Sequence, residues 1–193
     1  MSVLPHGEQG AGSREQYPPA RAGSSALTAG YCSLLPAPCS PGVVVRRAVL
    51  SDVPQLELLM APYVATGDLL PRSNYDLCRH IKEYVIAEGP TGEVIGCGSL
   101  KVYSCDLAEL AALAVREEWQ QAGVGGALVV ALIAEARARG LAEVLALTRK
   151  PAFFLKVGFA PAEREHFPLK VWADCVRCPR NTCCDEVAVV LKL

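Results

Sequence analysis

No apolar run in this chain approaches the length that a bilayer-spanning helix requires. The N-terminus also lacks the basic stretch followed by a continuous apolar segment that marks a secretory signal. Neither charge is in excess. The 19 Lys and Arg against 20 Asp and Glu leave a net charge of −1, so electrostatics gives no reason to expect nucleic acid or an anionic membrane as a partner. The cytoplasm is the default compartment. No Gly-Lys-Ser/Thr follows the glycines of the chain, which argues against a P-loop for nucleoside triphosphates. The dinucleotide fingerprint fails as well: it needs G-x-G-x-x-G and an acidic residue closing the next strand, and that strand ends in Thr148-Arg149. What remains is 193 residues, 51% hydrophobic and 20% charged, enough for one substantial core.

Residues 1–42 are dominated by Gly, Pro, Ser and Ala and hold no period of 2 or 3.6. They bury too little side chain to offset ordering entropy, so they read as a disordered tail without a catalytic role. From Val43 the pattern predicts a strand (43–47), a helix (52–65), a helix (75–82), a strand (84–87), a Gly89-Pro90-Thr91-Gly92 hairpin turn and a strand (93–103). A strand over 107–115, a helix over 124–139 capped by Gly140, a strand over 144–147, a helix around Phe153 and a final strand over 186–193 complete the order. This is an α/β (α+β) domain, a mixed sheet flanked by helices.

The most informative stretch is Gln120-Gln121-Ala122-Gly123-Val124-Gly125-Gly126-Ala127, a glycine-rich turn between an apolar strand and a helix start. The first N–H groups of a helix have no intrahelical partner, and the macrodipole adds partial positive charge there. Without a Cβ, Gly123 and Gly125 admit positive φ and close approach of a pyrophosphate. Plain turn chemistry predicts the same glycines.

Gln120-x-x-Gly123-x-Gly125 resembles the Arg/Gln-x-x-Gly-x-Gly/Ala signature of the GNAT N-acetyltransferases, and Pro151 to Phe159 resembles that family's later helix and Gly-Phe segment. The resemblance covers 43–193 and implies the GNAT fold in a single domain. It also implies an acetyl-CoA pyrophosphate on Gln120, Gln121, Ala122, Gly123, Val124, Gly125 and Gly126. Pantetheine would lie along Leu113-Ala114-Val115, with a backbone N–H near Val115 polarising the thioester. Glu109 matches the position of the glutamate base in several GNAT enzymes. A carboxylate on an apolar strand is partly desolvated, which raises its pKa toward a useful value; the competing role is electrostatic hold on a substrate ammonium. Where the family often has a tyrosine acid this chain has Phe154, left as a packing residue against cofactor or core.

A closer likeness concerns the acceptor. Pro62 to Ser73, Ile95 to Lys101 and Ala108 to Val115 resemble short-form N-acetylglutamate synthases, which are single GNAT domains without an amino-acid-kinase partner. The resemblance implies transfer of acetyl from acetyl-CoA to the α-amine of L-glutamate, a step of arginine biosynthesis. Arg72 and Lys101 match the basic substrate contacts, and Ser73 is a further candidate; an arginine fork suits a carboxylate. Other readings are a GNAT enzyme acting on another small amine or a protein N-terminus, or a non-catalytic acyl-CoA sensor. The segment 166–185 forms a cysteine-rich insertion before the last strand, in which Cys175-x-x-Cys178 and Cys184 are soft ligands for a structural Zn²⁺, with a redox pair or packed reduced thiols as alternatives. Cys32, Cys39, Cys78, Cys97 and Cys105 read as free thiols. The choice between a monomer and a homodimer is not legible.

Overall fold

The computed structural model describes residues 41–178 and 180–193; the expected tail over 1–42 lies almost entirely outside them. Seven strands form one sheet in the order β1-β2-β3-β4-β5-β7-β6. They are β1 (Val44–Arg47), β2 (Tyr84–Glu88), β3 (Val94–Val102), β4 (Leu107–Val115), β5 (Glu143–Thr148), β6 (Ala160–Ala162) and β7 (Val187–Lys192). All neighbours are antiparallel except β4 and β5. The short edge strand β6 has no counterpart in the sequence reading; Pro161 masks it, and an edge is where a strand tolerates proline.

Helices cover both faces. On one, α1 (Val53–Ala65) and α2 (Asn74–His80) pack Leu56, Leu59, Met60 and Leu77 against Ile86, Val94 and Ala114. On the other, α3 (Val124–Ala138) and α4 (Pro151–Lys156) bury Leu128, Leu132 and Phe154 against Val85, Leu110 and Val144. Asp52 occupies the N-cap position of α1 but makes no side-chain cap bond to that helix; its carboxylate closes the preceding 3₁₀ turn, accepting from the Val49 N–H at 2.8 Å and from Arg46. A fifth helix, α5 (Pro168–Ala173), lies inside the cysteine-rich segment. No helix among the described residues is long and apolar enough to cross a membrane.

One irregularity positions the site. The β4–β5 pairing covers only Leu107↔Glu143, Ala108↔Val144 and Glu109↔Leu145, after which the strands part. Against β3, Ser99 pairs with Ala111 and Cys97 with Ala114, so β4 carries one extra residue, and there Ala112 takes φ +51°. Such a bulge bends its strand, and a non-glycine residue at positive φ is held only where its surroundings over-determine it.

Candidate active site

The fork between β4 and β5 opens into a cavity of about 950 Å³. Its lining joins stretches far apart in sequence: Glu109 to Leu113 and Val115 on β4, Gln120, Gln121, Gly123, Gly125 and Gly126 at the turn, and Leu147 to Lys150 at and beyond the end of β5. The 67–72 loop and Lys170, Asp174, Cys178, Arg180 and Cys184 of the cysteine-rich segment close the remaining side.

At the cofactor end, Ala127 N–H makes the first intrahelical bond of α3, to the Gly123 carbonyl at 3.0 Å. The N–H groups of Val124, Gly125 and Gly126 therefore precede the helical ladder, and no side chain caps them. Gly123 adopts φ +81°, as a glycine there should. Gly125 does not: the second residue at positive φ in the turn is Gln121, at +66°. A Cβ on Gly125 would meet the Phe153 ring at 3.4 Å, whereas one on Gly126 would meet nothing within 4 Å. The Val124 side chain is buried in the core, so only its backbone serves the turn, and Ala122 packs on the same core.

Leu113 and Val115 face the cavity, but Ala114 points into the α1/α2 core. The expected free amide at Val115 is occupied. It donates to the Tyr63 hydroxyl at 3.2 Å, and that hydroxyl donates to the Val115 carbonyl. Gln120 Nε2 joins the same cluster, 3.2 Å from Tyr63 Oη and 3.4 Å from the Val115 carbonyl oxygen, so its side chain braces the turn against β4. Tyr63, in the last turn of α1, lies within the Pro62 to Ser73 stretch that resembles the synthases, but neither that likeness nor the helix pattern singled it out. Phe154 lines the cavity yet is 5% exposed, edge-to-face with Phe153 and Phe159 at 5.2 Å.

Glu109 sits at the fork, on the last paired position, opposite Lys101 of β3. Tyr103 follows the end of β3, and its ring centroid lies 5.3 Å from Lys101 Nζ. Glu109 is not the lone desolvated carboxylate the strand pattern suggested. Its Oε2 accepts from Lys170 Nζ at 2.8 Å and from the Tyr103 hydroxyl at 2.7 Å. Asp174, the C-cap of α5, accepts from Lys101 Nζ at 2.6 and 2.8 Å, from Lys170 at 2.9 Å and from Tyr103. Burial alone would raise the Asp174 pKa, but these three donors outweigh it and hold the carboxyl well below its usual range. Burial would lower Lys170, and the facing carboxylates reverse this and raise it. Tyr103 is pushed up by burial and by both carboxylates.

Two further expectations need correction. Lys101 lines the cavity, but its charge is committed to Asp174. Ser73 does not line it: it is the N-cap of α2, accepting from the Asp76 N–H at 3.1 Å and donating to the Asp76 carboxylate at 2.6 Å. Arg72, by contrast, lines the cavity with no acidic partner among the described residues. Arg180, which the sequence reading missed, lines it too; its Nη1 donates to the Gly67 carbonyl at 2.9 Å, and the Asp185 carboxylate lies within its electrostatic reach.

The placement of the cysteines lends the zinc expectation no support. Among the described residues no three or more His, Cys, Asp or Glu side chains gather in a metal-binding group. Cys175 is buried near Arg164, while Cys178 and Cys184 face the cavity.

Residues 80–161 match the family model for the acetyltransferase (GNAT) domain. An uncharacterized N-acetyltransferase of Chlorobaculum tepidum is 38% identical over 149 residues, covering 77% of this chain and 96% of that protein. The chain belongs to the GNAT acetyltransferases. The amino-acid acetyltransferase of Mycobacterium tuberculosis is 38% identical over 130 residues, covering 66% of this chain and 73% of that protein. Among solved structures, the N-acetylglutamate synthase of Neisseria gonorrhoeae, complexed with coenzyme A and N-acetyl-glutamate, superposes with a TM-score of 0.71 at 30% identity. That match covers 81% of this chain and 36% of the synthase, so this GNAT domain spans about a third of it. A Mycobacterium tuberculosis protein solved with CoA and a second ligand gives a TM-score of 0.69 at 31% identity, covering 78% of this chain and 99% of that one. The mixed seven-stranded sheet flanked by helices is thus the GNAT fold.

Proposed function

We propose that this GNAT acetyltransferase transfers the acetyl group of acetyl-CoA to the α-amine of L-glutamate. The cleft fits the coenzyme. The β4 edge beyond Glu109 is unpaired with β5, the turn offers the amides of Val124, Gly125 and Gly126, and space lies open over Gly126. Relatives of similar fold are solved with coenzyme A. Acetyl-CoA supplies an electrophilic thioester carbonyl, whose C–S bond breaks as a C–N bond forms.

The observation that carries the glutamate assignment is the pair Arg72 and Arg180. Both guanidiniums line the cavity that holds Glu109, and neither forms a direct ion pair among the described residues, although the Asp185 carboxylate lies within electrostatic reach of Arg180. A planar guanidinium binds a carboxylate through two parallel N–H bonds, and an acceptor with two carboxylates uses two such groups. Glu109 takes the proton of the acceptor's ammonium, which at neutral pH has no free lone pair for attack. The free amine then attacks the thioester carbon, and coenzyme A leaves as its thiol once the nitrogen's second proton reaches sulfur. The Val115 amide becomes available to a bound thioester only when the Tyr63 hydroxyl moves off it.

The test is free-thiol release from acetyl-CoA in the presence of each of the twenty amino acids. L-Glutamate should stand out over L-glutamine, which lacks the side-chain charge, and Arg72→Ala and Arg180→Ala should each raise the KM for glutamate by about tenfold or more. Equal turnover of glutamate and glutamine would overturn the assignment.

A further inference from the structure

The two carboxylate oxygens of Glu109 are not equivalent. Oε2 receives both Lys170 Nζ, at 2.8 Å, and the Tyr103 hydroxyl, at 2.7 Å, while Oε1 has no hydrogen-bond partner among the described residues. Both donors are themselves held by a single group. Asp174 Oδ2 accepts from Lys170 at 2.9 Å and from Tyr103, and the same carboxylate binds Lys101. Tyr103 has one proton for two carboxylates, so it donates to one at a time, and Lys170 bridges the pair whichever it chooses. The arrangement is nearly closed to water on the Glu109 side, where the side chains of Lys170 and Glu109 are 12% and 6% exposed. Lys170 and Asp174 are one helical turn apart, on the segment whose cysteines had suggested a metal staple.

We infer that Lys170, Tyr103 and Asp174 are positioning residues for Glu109, pinning Oε2 so that Oε1 is the atom that takes the acceptor's proton. The cysteine-rich segment is then part of the catalytic machinery through its acid–base pair and not through its thiols. This rests on the base role given to Glu109 under the proposed function. A glutamate side chain without such pins samples several rotamers, and a reacting group displaced by about 1 Å loses on the order of a hundredfold in rate.

The experiment is a kinetic double-mutant cycle on the full chain with acetyl-CoA and the best acceptor from the amino-acid screen. Asp174→Asn and Tyr103→Phe should each lower kcat by roughly ten- to a hundredfold, with the KM for acetyl-CoA unchanged. Lys170→Arg should retain more of the rate than Lys170→Met. In a Glu109→Gln background, adding Asp174→Asn should lower the residual kcat by less than about twofold, because a positioning residue has nothing left to position. The same fold-loss in both backgrounds would overturn the inference, as would a parallel rise in the KM for acetyl-CoA. Wild-type kcat in Glu109→Gln alone would remove the base role itself, an outcome separate from loss of the positioning effect. Tyr103→Phe removes a single oxygen and keeps the test open should Asp174→Asn fail to fold.

Discussion

Replacing Lys170 with Met tests the electrostatic design of the site by stability alone, without any assumption about substrate. Lys170 Nζ and Glu109 Oε2 lie 2.8 Å apart with their side chains 12% and 6% exposed, so the pair is buried by the measure that matters, access of water to both charges. Truncating only the cation leaves Glu109 with the Tyr103 proton, which Asp174 also claims. Asp174 keeps Lys101 and loses less. Breaking a buried ion pair from one side costs about 3–5 kcal/mol, because the surviving charge stays desolvated. In a chain of this size 1 kcal/mol corresponds to roughly 2–4 °C in Tm, so Lys170→Met should melt roughly 6–20 °C below the wild type. Adding Glu109→Gln removes the stranded charge and keeps an acceptor oxygen for Tyr103. The double variant should therefore recover most of the loss. The assay is thermal unfolding of the four proteins at neutral pH, followed by circular dichroism and calorimetry. A Lys170→Met protein melting within about 2 °C of wild type, or a double variant no more stable than that single one, would refute the reasoning.

Acid should unfold the protein through carboxylates that the fold keeps ionised. Burial pushes Asp52 up, but hydrogen bonds from Arg46 and the Val49 N–H outweigh it and leave the pKa lowered. A depressed carboxyl contributes stability above its unfolded value, near 4, and loses it as pH falls through the folded value. Urea midpoints should thus drop below about pH 4, and Asp52→Asn should flatten that limb while lowering stability at pH 7; an unchanged acid limb would exclude this source. At the turn, Gly123→Ala places a Cβ at φ +81°, a strain of about 1–2 kcal/mol, and should weaken acetyl-CoA binding in calorimetric titration by about tenfold. Gly125→Ala, whose Cβ approaches nothing closer than the Phe153 ring at 3.4 Å, should bind within a factor of about three of wild type. Equal effects of the two alanines would show that the turn's conformation is not what holds the ligand.

What could be read from the sequence and what could not divide along one physical line. The turn at 120–126 and the β4 edge act through consecutive backbone atoms, so their chemistry is written in consecutive letters: glycine for positive φ at 123, a helix start at 124, an apolar strand before them. The acceptor end is assembled from side chains distant in sequence, with Lys170 61 residues from Glu109, Asp174 73 from Lys101 and Arg180 113 from Gly67. No local pattern encodes such a contact. Lys170 and Asp174 drew no reading from the sequence, and Lys101 read as a free cation because its partner lies on an element that only folding brings near. The cysteines misled for the complementary reason. A CxxC is a local signal, but a metal needs convergence of all its ligands, and the fold buries Cys175 against Arg164 while turning Cys178 and Cys184 toward the cavity. The same logic explains why Tyr63 escaped notice: its amphipathic position in α1 served equally for core packing and for reaching Val115, and only the bent end of β4 decides between them. Tyr63 holds the amide that the family resemblance assigns to the thioester, and Asp174 holds the lysine that it assigns to the acceptor. The chain thus satisfies these groups with side chains on two separate elements, and under the proposed function binding either ligand is an exchange of hydrogen-bond partners in place of a simple filling of space. Such exchanges make net affinity small relative to the contacts formed; under the proposed function, selectivity between acceptors then rests on Arg72 and Arg180, which form no direct ion pair among the described residues.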